Sequence, residues 1–188
     1  MLADLTQSRA AGLYAALTEV ERLAALLPLA PDLSDRMKVS DLLAERHTRY
    51  RALLDGLGGA SDPKTGMAAA APAVDDARRR VAADDWWEGL VTVALCVPLT
   101  DELFKALVAE NGVAGEGASD VDPWPVQQLR AATEADEQLR ARIALWARRV
   151  VGEAIVLARE FGGDRYLELA DLLAANHAKR LAAFGLDD

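Results

Sequence analysis

The chain has 188 residues, 30 acidic against 21 basic side chains and a formal net charge of −9. That length suits one domain over residues 1–188, with a core that needs no disulfide or metal staple. The acidic balance counts against nucleic acid as a partner, because affinity for phosphate backbones comes largely from counterion release by clustered Lys and Arg.

Alanine and leucine dominate, β-branched and aromatic residues are sparse, and alternating polar and apolar positions are hard to find, so the chain reads as all-α. A first helix is predicted over about Leu5 to Leu27, with Leu13, Ala16, Leu17, Val20, Leu23, Ala24 and Leu27 at the spacing of a buried face. Pro28 and Pro31 close it. A second helix, capped by Ser34 or Asp32, runs to near Gly56 on a stripe of Val39, Leu42, Leu43, Tyr50, Leu53, Leu54 and Leu57. Gly58 to Pro63 reads as a loop, and Met67 to Ala83 as a short helix that Asp75 and Asp76 favour at its start and Arg78, Arg79 and Arg80 at its end. That basic triplet is balanced by neighbouring acids and reads as a solvated face.

A third long helix is predicted from about Asp85 to Glu110, kinked at Pro98. It contains the most apolar run, residues 89–99, whose eleven residues fall short of the roughly 20 that span a bilayer, so no membrane partner is expected. Cys96 within it cannot bridge internally and reads as a small buried hydrophobe. Of Trp86 and Trp87, one is expected to pack inward and the other to reach a contact. Asn111 to Pro125 holds three glycines and two prolines and reads as a loop, with Trp124 as its exposed aromatic. Helical patterning resumes from Val126 to Phe161 with a break near Asp136, stops at Gly162-Gly163, and returns over Arg165 to Phe184, where Leu167, Leu169, Leu172, Leu173, His177 and Leu181 point inward. No secretory leader pattern opens the chain, and the cytoplasm is the expected compartment.

Three segments, Asp85-Trp86-Trp87-Glu88-Gly89-Leu90-Val91, Leu145 to Ala154 and His177 to Leu186, together resemble ferritin-like proteins of actinobacterial type related to tRNA-(ms2io6A) hydroxylase. The opening helices, with Tyr14, Glu21-Arg22-Leu23 and Leu29-Ala30-Pro31, fit the same likeness, which covers most of residues 10–110 and 126–188. The resemblance implies a ferritin-like up-down helical bundle with additional C-terminal helices. It also implies two irons, held by a Glu on the first helix, a Glu-x-x-His on the second, an acid on the third and an acid-x-x-His on the fourth. Carried over, these positions fall on Ala16, on Arg46 and Arg49, on Val97, and within Asn111 to Pro125. A shift by one residue brings in Glu45 and Thr48 instead.

The residues agree with that loss of ligands. Three positions before His47 stands Ala44, and before His177 stands Ala174, so neither imidazole shares a helix face with an acid in the required pattern. His47 reads as a surface or boundary residue and His177 as a core histidine hydrogen-bonded to a neighbour. At about 100° per residue, Arg46 points along the centre of the second helix's apolar stripe while Glu45 points away. A buried guanidinium needs a carboxylate or an escape to water, and Glu19 and Glu102 are the expected partners. No serine lies in a nucleophile elbow, and Gly115-Glu116-Gly117 lacks the context of a dinucleotide loop. The expected function is therefore a non-catalytic binding or scaffolding module without metal or other cofactor, pairing as a homodimer or with a protein or small molecule that the sequence does not identify. The alternatives are a di-iron, oxygen-activating hydroxylase with a reorganised site, and a bundle that takes a small amphipathic ligand in its vacated core.

Overall fold

The computed structural model describes residues 2–56, 62–109 and 122–186, apart from the side chains of residues 2–6. Among the described residues there are seven α-helices and no strand: α1 Leu2–Leu26, α2 Leu33–Gly56, α3 Pro63–Arg80, α4 Trp86–Val108, α5 Pro123–Ala135, α6 Glu137–Gly162 and α7 Tyr166–Phe184. Residues 57–61 and 110–121, which take in most of the two expected loops, lie outside the described residues.

Local chemistry sets the helix limits. A 3₁₀ turn over Leu27–Leu29 carries Pro28 out of α1, and Asp32 caps α2 by accepting the Asp35 amide at 2.9 Å. Helix α3 begins at Pro63, earlier than the expected Met67, because Asp62 accepts from the Lys64 amide at 3.2 Å and proline suits the first helical position. Asp75 and Asp76 consequently sit inside α3 rather than at its start, and Asp75 accepts the Tyr14 hydroxyl of α1 at 2.9 Å. Asp85 caps α4 through the Glu88 amide at 3.0 Å, and α4 continues through Pro98. At Asp136 the expected break is present. Its backbone leaves the helical region (φ −141°, ψ 106°) and its carboxylate accepts the Gln138 and Leu139 amides, so one predicted helix becomes α5 and α6. Pro123, Trp124 and Pro125 belong to the first turn of α5, not to a loop. Gly163 at φ +52° stops α6, and Gly185 at φ +70° ends α7 with the Leu186 amide donating to the Leu181 carbonyl at 2.9 Å.

Helices α1, α3, α6 and α4 pack in a closed ring. Within it α1 and α3 run parallel: a Cβ on Gly66 would lie 2.7 Å from that of Ala10, and further along Arg78 pairs with Glu21. Helices α4 and α6 are also parallel, joined by Asp85–Arg142 at 2.7 Å and by the Trp146 indole donating to Thr92 Oγ1 at 2.8 Å. From α1 to α4 the chain alternates direction, and α6, though C-terminal, completes the ring. Helix α4 is apolar nearly all round and buries Leu90, Leu95, Leu99 and Leu103 completely, each contributing about 1.5–3 kcal/mol. Outside the ring, α5 and α7 cover α4 and α6, while α2 lies chiefly along α1.

That placement explains where the predicted stripes fail. Val39, Leu42 and Arg46 of α2 are buried, but Leu53 is 42 % exposed because the C-terminal half of α2 stands off from α4 across an open cavity. On α7, Leu169, Leu173 and His177 face inward and Leu167 is exposed. Trp86 is the inward member of its pair and meets Trp124 edge-on, with ring centroids 6.2 Å apart, so Trp124 packs against the core. Two of the basic triplet tie α3 to its neighbours, Arg78 to Glu21 of α1 and Arg80 to Glu153 of α6 at 3.0 Å, while Arg79 pairs within the helix with Asp76.

Candidate functional site

The charged residues of α4 decide the site. Between Gly89 and Phe104 the helix carries two ionisable acids, Asp101 and Glu102, both buried. Adjacent helical residues point about 100° apart, so each finds a different partner. Glu102 faces α7, pairs with Arg180 and accepts from Asn176 Nδ2 at 3.1 Å. Asp101 faces α2, where one carboxylate oxygen meets both Arg49 and, at 3.8 Å, Arg46.

Arg46 is buried, as its position on the helix face requires, yet neither expected partner is its ion-pair acid. Glu102 is committed to α7. Glu19 is buried beside the cluster, and its Oε1 lies 2.6 Å from Thr100 Oγ1. Burial, then the neighbouring charge of Asp101, pushes the Glu19 carboxyl up to about 8, against the opposing pull of Thr100, Arg46 and Arg49. The geometry agrees with a protonated Glu19. Thr100 Oγ1 also lies 2.7 Å from the Cys96 carbonyl, and a hydroxyl with one proton satisfies both neighbours if it donates to the carbonyl and accepts from Glu19.

Glu19 and Asp101 each lie one helical turn from the positions carried over as lost ligands, Glu19 three residues after Ala16 and Asp101 four after Val97. The acids that meet Arg46 and Arg49 are therefore not at residues 16 and 97. Ala16 is packed into the core, and Val97 and Arg46 line a crevice of only about 20 Å³. Glu45, His47 and Thr48 are exposed on the far side of α2, which removes the shifted register as a source of ligands.

Two carboxyl groups and two guanidinium groups thus converge between α1, α2 and α4. Arg46 and Arg49 have the i, i+3 spacing of a Glu-x-x-His pair, but guanidinium is a permanent cation without a lone pair to donate. Among the described residues no group of three or more His, Cys, Asp or Glu side chains is arranged to hold a metal ion, so this donor set does not fit a dinuclear centre. The middle of the ring, between α1, α3, α4 and α6, leaves a crevice of about 20 Å³ that Glu19, Arg22, Cys96, Thr100 and Glu153 border. Burial there raises the Cys96 thiol, in keeping with a packing role.

His177 stands apart from this cluster. It is buried, and neither ring nitrogen has a hydrogen-bond partner among the described residues, contrary to the bonded core histidine expected. Burial, then the nearby charge of Arg180, lowers it to about 4. The unfolded chain takes up that proton near 6.5, so the stability His177 allows is present at neutral pH and is lost as pH falls from 6.5 towards 4. Substituting His177→Leu is expected to change stability by less than about 1 kcal/mol at pH 7, and to add on the order of 3 kcal/mol near pH 4. Urea unfolding at the two pH values checks this, and parallel pH curves for the two proteins would contradict it.

The closed ring of antiparallel and parallel helices, with an ionic cluster where its first helices meet, defines a ferritin-like helical bundle without a recognisable metal-ligand set among its described residues. The family described as ferritin-like domain, actinomycetes, matches residues 1–176, and the chain belongs to that family. No curated protein matches the chain. No helix among the described residues is long and apolar enough to cross a membrane.

Proposed function

We propose that this protein is a metal-free ferritin-like bundle that acts as a non-catalytic binding module. The observation that carries the reading is the pairing of Arg46 and Arg49 on Asp101, next to the buried Glu19. A dinuclear centre neutralises a cluster of inward carboxylates with dications; here two guanidinium groups supply positive charge from the chain itself. Metal entry would place a dication beside those guanidiniums, and the like-charge repulsion in a buried site opposes it. A tRNA-hydroxylase-like di-iron chemistry, which the family likeness suggests, would need histidine donors beside the carboxyls, and the described cluster has arginines in their place.

The test is metal content. After anaerobic incubation of the tag-free protein with excess ferrous iron and desalting, essentially no iron should remain with the chain. About two irons per chain, with near-ultraviolet absorption that appears on exposure to oxygen, would overturn the reading.

A further inference from the structure

A sizeable cavity opens beside the ionic cluster. A cavity of about 360 Å³ separates the C-terminal half of α2 from α4, with α1 as its floor. Its size falls within the roughly 300–1,000 Å³ of small-molecule sites. It is also polar at one end and apolar along its length. Glu19, Arg49, Thr100 and Asp101 form the inner end; Leu13, Ala15, Leu53 and Phe104 line the walls; Arg9 and Lys105 stand towards the outer end.

We propose that this cavity binds a small amphipathic monoanion, with its carboxylate on Arg49 and its apolar body along Leu13, Leu53 and Phe104. The proposal rests on the metal-free reading, since the guanidinium that receives the head group occupies the region a metal would otherwise claim. The charges that act on Glu19 are two guanidiniums and one carboxylate, Asp101. With Glu19 protonated, the charged residues that line the cavity are the cations Arg9, Arg49 and Lys105 and the carboxylate Asp101, an excess of positive charge that favours an anionic head group. Three lining cations, Arg9, Arg49 and Lys105, gather round this cavity in a chain whose net charge is −9. They would repel a cationic amphipath. A carboxylate suits the planar fork of an arginine, which can donate two parallel bonds to it. From Ser8 to Glu19 the floor runs about 16 Å along α1 at about 1.5 Å per residue, enough for a chain of about eight to twelve carbons.

Calorimetric titration of the full chain with octanoate, octanol and octylammonium tests the assignment. Octanoate should bind one per chain, at least about tenfold more tightly than octanol, and octylammonium more weakly still. The variant Arg49→Gln should lose about tenfold or more in octanoate affinity and little in octanol affinity. Ala52→Trp, which places a large side chain into the cavity from an exposed position on α2, should abolish binding of both while thermal unfolding stays within a few degrees. Equal affinity for octanoate and octanol, undiminished binding to Ala52→Trp, or no binding of octanoate would each overturn the proposal. The two readings fail separately: iron uptake would sink the metal-free reading, whereas absence of both iron and octanoate binding would sink only the ligand assignment.

Discussion

Substitution of Asp101→Asn is expected to lower unfolding free energy by about 2 kcal/mol at pH 8, less than the roughly 3–5 kcal/mol usual when one partner of a buried ion pair is removed. The reason is Glu19. Asp101 is the neighbouring charge that helps keep Glu19 protonated, so once it is neutralised Glu19 ionises more readily and takes over the two arginines. The double variant Asp101→Asn, Glu19→Gln leaves Arg46 and Arg49 without either carboxyl of the cluster. Its loss should exceed the sum of the single changes by about 1–3 kcal/mol, the range of coupling found for residues in one charged network. Urea unfolding of the four proteins in the cycle measures that coupling. Additive changes would show that the two carboxyls do not share the same pair of cations.

Glu19→Gln alone should stabilise the protein in alkali. In the folded chain Glu19 keeps its proton to about pH 8, while the unfolded chain releases it near the ordinary 4.5. Between those values the folded state binds more protons, so the contribution of Glu19 to stability is full below 4.5 and is lost as pH rises to 8. At about 1.4 kcal/mol for each pH unit of that interval, the loss is on the order of 5 kcal/mol. Gln fills the same volume, carries no charge and can still donate to Thr100, so its variant should escape that loss. At pH 9 Glu19→Gln should therefore be the more stable protein, and at pH 4 the two should be nearly equal. Indistinguishable pH profiles would mean that Glu19 ionises in the folded chain as it does in water.

Both predictions depend on residues whose position, though not partnership, is legible in the sequence. The helical period puts Arg46 inward, and the structure buries it, because that inference needs only the rotation of one helix. Its partner depends on the rotation and axial offset of a second helix, and an error of one residue on α4 exchanges Asp101 for Glu102. One sequence signal separates them. The family likeness places Val97 on the inner face, and Asp101 lies four residues on, hence on the same face, whereas Glu102 does not. The end of α2 departs from expectation for another reason. Leu53 and Leu54 continue the stripe of Val39 and Leu42, but periodicity reports which side of a helix is apolar and not how closely the facing helices approach it. The unbonded nitrogens of His177 are not foreseeable, since they depend on what every neighbouring helix fails to offer. Asp136 is legible as a break because an N-cap acts through amides two and three residues away, within the reach of local sequence.

Helix α2 is held differently from the rest of the bundle. Its packing is chiefly with α1, and on the far side it adds ion pairs, Arg46 and Arg49 on Asp101 and Lys38 on Asp122 at 3.0 Å, to the apolar neighbourhood of Leu42. The ring of α1, α3, α4 and α6 closes without it. Opening free energies within one protein range from near zero to the full unfolding value, and a helix outside the main core falls towards the lower end. The bundle is thus a closed four-helix frame with α2 laid against it, held both by the buried Val39 and Leu42 and by ion pairs at Asp101 and Asp122.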